Sequence, residues 1–126
     1  MTAPQWPFAM GEIESASLVA IPLDTLDKLI QEGLTFGTGL AAEGPLCLAG
    51  RLRYFAIRDR ASSHALAIMG LQFDPATFLW DLSEVIGIGK APAPLEIEVF
   101  ARFVGIAYNE RMKGEAHEPL RGFRDL

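Results

Sequence analysis

The stretch LCLAGRLRYFAIRDRASSHALAIMGLQFDPATFLWDLSEVI, residues 46–86, decides the fold of this 126-residue chain. It contains three runs rich in aromatic and β-branched residues, which is typical of β-strands. The linkers DRASS and DPA are too short for a crossover, so consecutive strands must pair antiparallel. In DPA, Asp74 and Pro75 suit the first two positions of a type I turn. The stretch therefore predicts an antiparallel meander of three or more strands.

The third run indicates which face of the sheet is buried. Phe78, Trp80 and Leu82 alternate with Asp81 and Ser83 along the sequence TFLWDLSE. Such alternation is typical of a strand with one buried face and one solvated face. We expect the three apolar residues to lie beneath a covering helix.

That helix is predicted directly downstream of the sheet. Pro94 suits the first turn of a helix that continues through LEIEVFARFVGIAYNERMKG. Apolar residues recur at helical spacing and predict a wide stripe that packs across one face of the sheet. The stripe consists of Ile97, Phe100, Val104 and Tyr108, flanked by Val99, Phe103 and Ile106. Glu98, Arg102, Gly105 and Asn109 form the opposite stripe.

The first third of the chain predicts smaller elements. LVAI, residues 18–21, reads as a short strand, and PLDTLDKLIQEG reads as a short helix before the main sheet, with Asp24 as N-cap and Gly33 as C-terminal stop. Residues 1–17 form an expected N-terminal arm, and residues 114–126 an expected mobile tail. Together these elements predict a single α+β domain over residues 1–126.

The glycine-rich stretch FGTGLAAEG, residues 36–44, resembles a dinucleotide-binding fingerprint in its G-x-G-x-x-A spacing. Such a fingerprint needs a strand before it and a helix N-terminus after it. Here a predicted helix precedes it, and Pro45 disfavours a helix after it. We therefore predict a helix-to-strand turn with positive φ at one or more glycines and no nucleotide site.

Composition excludes several classes of function. The net charge is −5, and the acidity is concentrated in the first 50 residues, so the chain lacks the basic surface typical of nucleic-acid binding. The single cysteine, Cys47, has no partner for an internal disulfide. No uninterrupted apolar run reaches 18 residues, which argues against a membrane span. We expect a cytoplasmic protein.

Candidate catalytic and metal-binding residues are few. His64 and His117 have no cysteine or acid at metal-ligand spacing, so no metal site is predicted. Ser62 and Ser63 precede His64, but serines are common in turns, and neighbouring residues on a strand face opposite ways. Cys47 has apolar neighbours and is predicted to be a buried, inert thiol. The sequence predicts no catalytic residue and no cofactor.

Four arginines form the one cluster that suggests a binding role. Arg51, Arg53, Arg58 and Arg60 lie within ten residues, and Arg51 and Arg53 are predicted to share a strand face. Guanidinium groups bind carboxylates and phosphates through paired hydrogen bonds, so the cluster could hold an acidic partner. The competing interpretation is that the arginines keep a sheet edge soluble or pair with acids of the first half of the chain.

The order of four segments carries a resemblance to a known family. EGLTFGTGL, YFAIRD, ALAIMGL and WDLSEVIGIGKAPAPLEIEVFARFV follow one another between Glu32 and Val104. This order resembles PcfJ-like proteins of plasmids and phages, in which a glycine-bearing loop, three strands and a proline-led helix succeed one another. The chain departs from that pattern where Gly39 replaces a His-Cys pair and GIGKAP replaces a Gly-x-x-Asn-x-x-Pro-like ending. The resemblance implies a mobile-element setting and no defined reaction.

These observations favour a non-catalytic function. We expect a protein-binding accessory or inhibitor protein, encoded by a mobile element and acting on a host defence complex. Its partner would be another protein, and a homodimer is compatible with the sequence. The alternative is a small enzyme or an anionic-ligand-binding domain that uses the Arg51/Arg53 face and the Gly37–Gly44 loop. A concave polar pocket would favour the alternative, and a flat or convex surface the protein binder.

Overall fold

The structure, a computed structural model, describes residues 5–124 and the side chains of residues 5–113. Its centre is a five-stranded antiparallel sheet in which neighbours in the sheet are also neighbours in the chain. The α+β meander predicted from the sequence is confirmed. The strands are β1 (Ile13–Glu14), β2 (Leu18–Pro22), β3 (Leu52–Asp59), β4 (Ala65–Asp74) and β5 (Leu79–Gly87), and the helices are α1 (Leu26–Phe36), α2 (Gly44–Leu48) and α3 (Leu95–Arg124), with 3-10 turns at Leu40–Glu43 and Ile88–Lys90.

The long helix α3 covers one face of the sheet, as predicted. Its buried side chains Ile97, Phe100, Ala101, Val104 and Tyr108 pack against the strands. The strand residues in this layer come from four neighbouring strands and include Leu18, Ala20, Phe55, Ile57, Ala67, Met69, Leu71 and Trp80. This apolar layer is the larger of the two that hold the domain together.

Several predictions about this layer are wrong in detail. Phe78 lies in the β4–β5 turn with a φ of 59° and is exposed, while Trp80 is buried and Leu82 only half-buried. The turn closes by a hydrogen bond from the Phe78 N–H to the Asp74 carbonyl oxygen, 2.8 Å. This bond places Phe78 before the strand begins, so strand alternation does not apply to it. Gly105, a member of the predicted stripe opposite the packed one, is buried; a Cβ there would lie 3.4 Å from the Leu71 side chain.

A second layer, not predicted from the sequence, covers the other face of the middle strands. Helices α1 and α2 contribute Leu29, Phe36 and Cys47, which pack on sheet residues such as Tyr54 and Ile68. Strand β3 is consequently buried on both faces over residues 52–57, whereas β5 keeps one exposed face. The middle of the domain therefore has three layers.

The start and end of α1 differ from the predicted positions. Thr25, not Asp24, is the N-cap: its Oγ1 accepts a hydrogen bond from the Lys28 N–H at 3.2 Å. The helix continues through Gly33 and ends at Phe36. Gly37 caps it, with a φ of 68° in the left-handed region that favours glycine. Gly33 instead allows close packing, since a Cβ there would lie 3.1 Å from the Thr38 carbonyl oxygen.

The positive φ predicted for the glycine stretch occurs at Gly37, but the predicted direct turn into a strand is wrong, because the stretch leads through the 3-10 turn Leu40–Glu43 into the short helix α2. Pro45 occupies the first turn of α2, where its missing N–H would have had no partner within the helix. Residues 46–48 are therefore helical. Strand β3 begins at Leu52 and not at Leu46, where the first predicted strand run starts.

The N-terminal segment docks on the domain through two aromatic residues. The Trp6 indole is buried and donates a hydrogen bond from Nε1 to the Leu23 carbonyl oxygen at 3.0 Å. The Phe8 ring contacts Phe55 and Tyr108 edge to face. At the other end, α3 includes residues 114–124 of the expected tail. The predicted mobility of that tail stays a prediction, and residues 125 and 126 lie outside the described part.

The open edge of β5 is fastened to α3 by one side chain. Asn109 accepts a hydrogen bond from the Trp80 N–H at 2.8 Å, and its Nδ2 donates to the Trp80 carbonyl oxygen at 2.9 Å. Farther along the strand, Ile86 forms an isolated antiparallel bridge with Pro92. Asn109 belongs to the predicted stripe opposite the packed one, yet it contacts the sheet through this strand edge. Within the described residues, no helix is both long enough and apolar enough to cross a membrane.

Candidate interaction surface

Two of the four predicted arginines pair with acids of the first half of the chain. Arg58 contacts Glu32 of α1 through an ion pair in which the Glu32 side chain is 6% exposed and the Arg58 side chain 32%. Arg60 pairs with Glu14 of β1 at 3.1 Å and donates to the Ser15 carbonyl oxygen at 3.2 Å, near the surface. These contacts match the competing interpretation, in which the arginines balance acids within the same molecule.

Arg53 lies inside the domain. Its Nη1 donates hydrogen bonds to the carbonyl oxygens of Cys47 and Leu52, both at 2.8 Å. Its guanidinium carbon lies 5.7 Å from the centre of the Phe8 ring and 5.3 Å from that of Trp80, within the range of cation–π attraction. Arg53 therefore stabilises the junction of α2, the N-terminal segment and β5.

The four arginines do not form one surface. Arg53 lies on the α3 side of β3, whereas Arg58 pairs with α1 on the opposite side of the sheet. Arg51 precedes β3 and is exposed, and its side chain has no ion pair with any residue of the described part of the chain. Of the four, Arg51 is the one whose guanidinium is available to a partner.

The glycine stretch borders a small, acidic pocket. The pocket has a volume of about 200 Å³ and is lined by Thr38, Gly39, Glu43, Tyr54 and Glu84, among others. The Tyr54 hydroxyl donates to the Glu84 carboxylate at 3.2 Å. Burial, followed by the charge of Glu84, raises the pKa of the Tyr54 hydroxyl well above its usual range. Two carboxylates beside the glycines make this pocket unsuited to a phosphate or another anion.

The turn that contains Ser62 and His64 is held by Asp59. The Asp59 carboxylate accepts hydrogen bonds from both the N–H and the hydroxyl of Ser62, each at 2.8 Å. These bonds lower the pKa of Asp59. Ser62 thus completes a turn of the kind that aspartate commonly builds. Among residues 5–113, no three His, Cys, Asp or Glu side chains are grouped so that they could hold a metal ion.

The Cys47 thiol should be unreactive in the folded protein. Cys47 is buried, and desolvation raises its pKa from 9.0 to about 11, outweighing the opposing charge of Arg53. Because the thiolate is the reactive form, we expect labelling by a thiol reagent at pH 8 to be about a hundredfold slower in native protein than in urea. The raised pKa stabilises the folded state below pH 9, and that contribution is lost as the pH rises towards 11. Labelling of native protein as fast as in urea would contradict this assignment.

The outer face of α3 carries large apolar side chains that no other element of the described structure buries. We define the outer face as Leu95, Val99, Phe103 and Ile106, whose exposed fractions range from 51% to 74%. Helical spacing predicts three of them, Val99, Phe103 and Ile106, at the flanks of the buried stripe, but they lie on the solvent side. Their spacing of four, four and three residues aligns them along one side of a helix.

An open groove adjoins the outer face. It has a volume of about 480 Å³, and its apolar wall consists of Val99, Phe103, Phe100 and Leu18 of β2. Glu96 stands at its rim and accepts a hydrogen bond from the Ser17 hydroxyl at 3.2 Å. The groove widens the apolar surface from the helix towards the β1–β2 edge of the sheet.

Comparison with known protein families, curated proteins and solved structures finds no match to this chain.

Proposed function

We propose that this protein is a non-catalytic protein-binding domain whose interface is the outer face of α3. The observation that carries the proposal is the exposure of four large apolar side chains in a row on a helix whose opposite side is fully packed. A helix that is apolar on both sides is normally covered on both. Contiguous exposed apolar patches on soluble domains mark sites of interaction.

The biological setting that we propose is that of an accessory or inhibitor protein, encoded by a mobile element and acting on a host defence complex. This part rests on the order of segments that resembles PcfJ-like proteins, between Glu32 and Val104. No observation favours the alternative, an anionic-ligand-binding or catalytic domain. Arg53 is engaged with main-chain carbonyl groups, and the pocket beside the glycines is acidic.

Site-specific photocrosslinking tests the proposed function. A photoreactive phenylalanine analogue at Phe103 in producing cells should give an adduct with another protein, because the ring would lie within the interface. The same analogue at Asp27, which is exposed on α1 on the opposite side of the sheet, is the matched control. Adding Val99→Glu should abolish the adduct from Phe103. Absence of any adduct specific to Phe103 would overturn the proposal.

A further inference from the structure

We propose that the outer face of α3 pairs with the same face of a second copy of this chain, with the two helices antiparallel. In this pairing, Glu98 of each copy lies against Arg102 of the other. The inference rests on the part of the proposed function that makes the outer face a protein interface. It names a second copy as the occupant of that face in the protein on its own, and a different protein that crosslinks to Phe103 in cells would replace the second copy there.

The outer face lies on the side of α3 opposite the sheet. With 3.6 residues per turn, Leu95, Val99, Phe103 and Ile106 fall within less than a quarter of the helix circumference. The buried residues Ile97, Val104 and Tyr108 fall on the other side. A second helix can therefore approach the outer face without meeting the sheet.

Charged residues of opposite sign border one edge of the outer face. Glu98 and Arg102 are both exposed and lie on the edge nearer β5, the side on which Asn109 contacts Trp80. They stand four residues apart, a spacing that favours an ion pair within a helix. Among residues 5–113, however, neither of them takes part in an ion pair. Both charges are therefore available to a partner.

Two-fold symmetry makes this edge complementary to itself. When two identical helices pack antiparallel about a two-fold axis, the same edge of each helix meets its counterpart. With the axis near residue 100, Glu98 faces Arg102 of the other copy, and this contact occurs twice. A parallel pairing would instead bring this edge against the other edge of the second copy, where Glu98 would face Glu96. Charge complementarity thus favours a second copy in the antiparallel orientation.

The other edge of the outer face permits this arrangement. The acid on this edge is Glu96, whereas Glu110 lies in line with the outer face one turn beyond Ile106. With the axis near residue 100, the two copies of Glu96 are about eight residues apart along the helices, or roughly 12 Å, beyond the Debye length at physiological salt. Repulsion on this side is therefore weak.

Charge reversal tests the pairing directly in purified full-length protein. The mass in solution is measured by sedimentation equilibrium from about 1 to 200 µM, a range suited to an interface of modest size. Wild type should form dimers. Glu98→Arg alone and Arg102→Glu alone should each raise the dissociation constant by about tenfold or more, because every charge on the edge then has the same sign. The double variant Glu98→Arg/Arg102→Glu should dimerise like wild type.

Mixing the two single variants provides the most specific result. Glu98→Arg and Arg102→Glu proteins should associate with each other about as tightly as wild type does with itself, because their edges are again complementary. Asp27→Arg and Arg51→Glu change the net charge by the same amounts at exposed positions away from α3, and should leave dimerisation unchanged. Circular dichroism and thermal unfolding verify that each variant is folded.

Two outcomes would overturn the inference. One is a monomeric wild type across the whole concentration range, and the other is a dimer that neither single reversal weakens. The inference and the proposed function can fail separately. A monomeric protein that still crosslinks to another protein through Phe103 defeats the inference alone. A dimer with the expected charge dependence, but with no other protein crosslinked in cells, supports the inference and defeats the accessory role.

Discussion

Replacing Trp80 by alanine is expected to lower the free energy of unfolding by about 3 to 5 kcal/mol. The indole is 5% exposed and fills the space between β5 and α3. Its ring centre lies 5.3 Å from that of Phe73 and 5.6 Å from that of Tyr108. The Arg53 guanidinium lies over the Trp80 ring, 5.3 Å from its centre. Alanine would leave a cavity among these groups and leave Arg53 buried with fewer attractive neighbours.

Urea unfolding followed by circular dichroism measures this loss, because the variant lacks one of the two tryptophans that fluorescence would report. Phe78→Ala is the matched control. Phe78 is an aromatic residue two positions earlier, but it is 76% exposed, so its removal should change stability by less than about 1 kcal/mol. Near-normal stability of the Trp80 variant would show that α3 does not pack on β5 as described.

Replacing Arg58 by alanine is expected to lower the free energy of unfolding by about 3 kcal/mol. The change leaves Glu32 buried beneath α1 without its cation. This value is the lower end of the range for breaking a buried ion pair, because Arg58 is one-third exposed and water can enter the space that it vacates. The double variant Glu32→Gln/Arg58→Ala should recover part of the loss, since it removes the buried charge.

Arg60→Ala provides a comparison within the same chain. Arg60 pairs with Glu14 at 3.1 Å, but both side chains are about half exposed. Exposed pairs contribute about 0 to 1 kcal/mol, so this variant should unfold close to wild type in the same urea titration. Equal losses from Arg58→Ala and Arg60→Ala would show that burial does not distinguish the two pairs.

The sequence predicted the sheet and the helix that covers it, because both depend on local patterns. Short linkers determine that β3, β4 and β5 pair antiparallel, and helical spacing identifies Ile97, Phe100 and Val104 as buried. The second layer was missed although the run LRYFAI carries a signal for it. Its apolar residues are nearly continuous instead of alternating, which is typical of a strand buried on both faces.

The arrangement of the arginines could not be predicted from their spacing. Arg58 meets Glu32 across 26 residues. Arg53 turns inward to the carbonyl oxygens of Leu52 and of Cys47 in α2, and residues 46–48 of α2 were expected to be part of a strand. The sequence identified most of the outer face of α3 as apolar positions of a helix. The sheet covers only part of that apolar surface. The covered part depends on the width of the sheet and on where the helix lies across the sheet. Val99, Phe103 and Ile106 were therefore assigned to the packed flanks.

The contact between Asn109 and β5 bears on how the protein avoids polymerising through its sheet. A free strand edge is a template for another chain, and strand addition of this kind leads to fibres. At Trp80 the outward N–H and carbonyl groups are occupied by a side chain, and near Ile86 the bridge to Pro92 brings in a residue that has no N–H to donate. At the opposite edge, β1 is only two residues long. Copies of the chain can therefore meet at high local concentration with little risk that their sheets merge into amyloid.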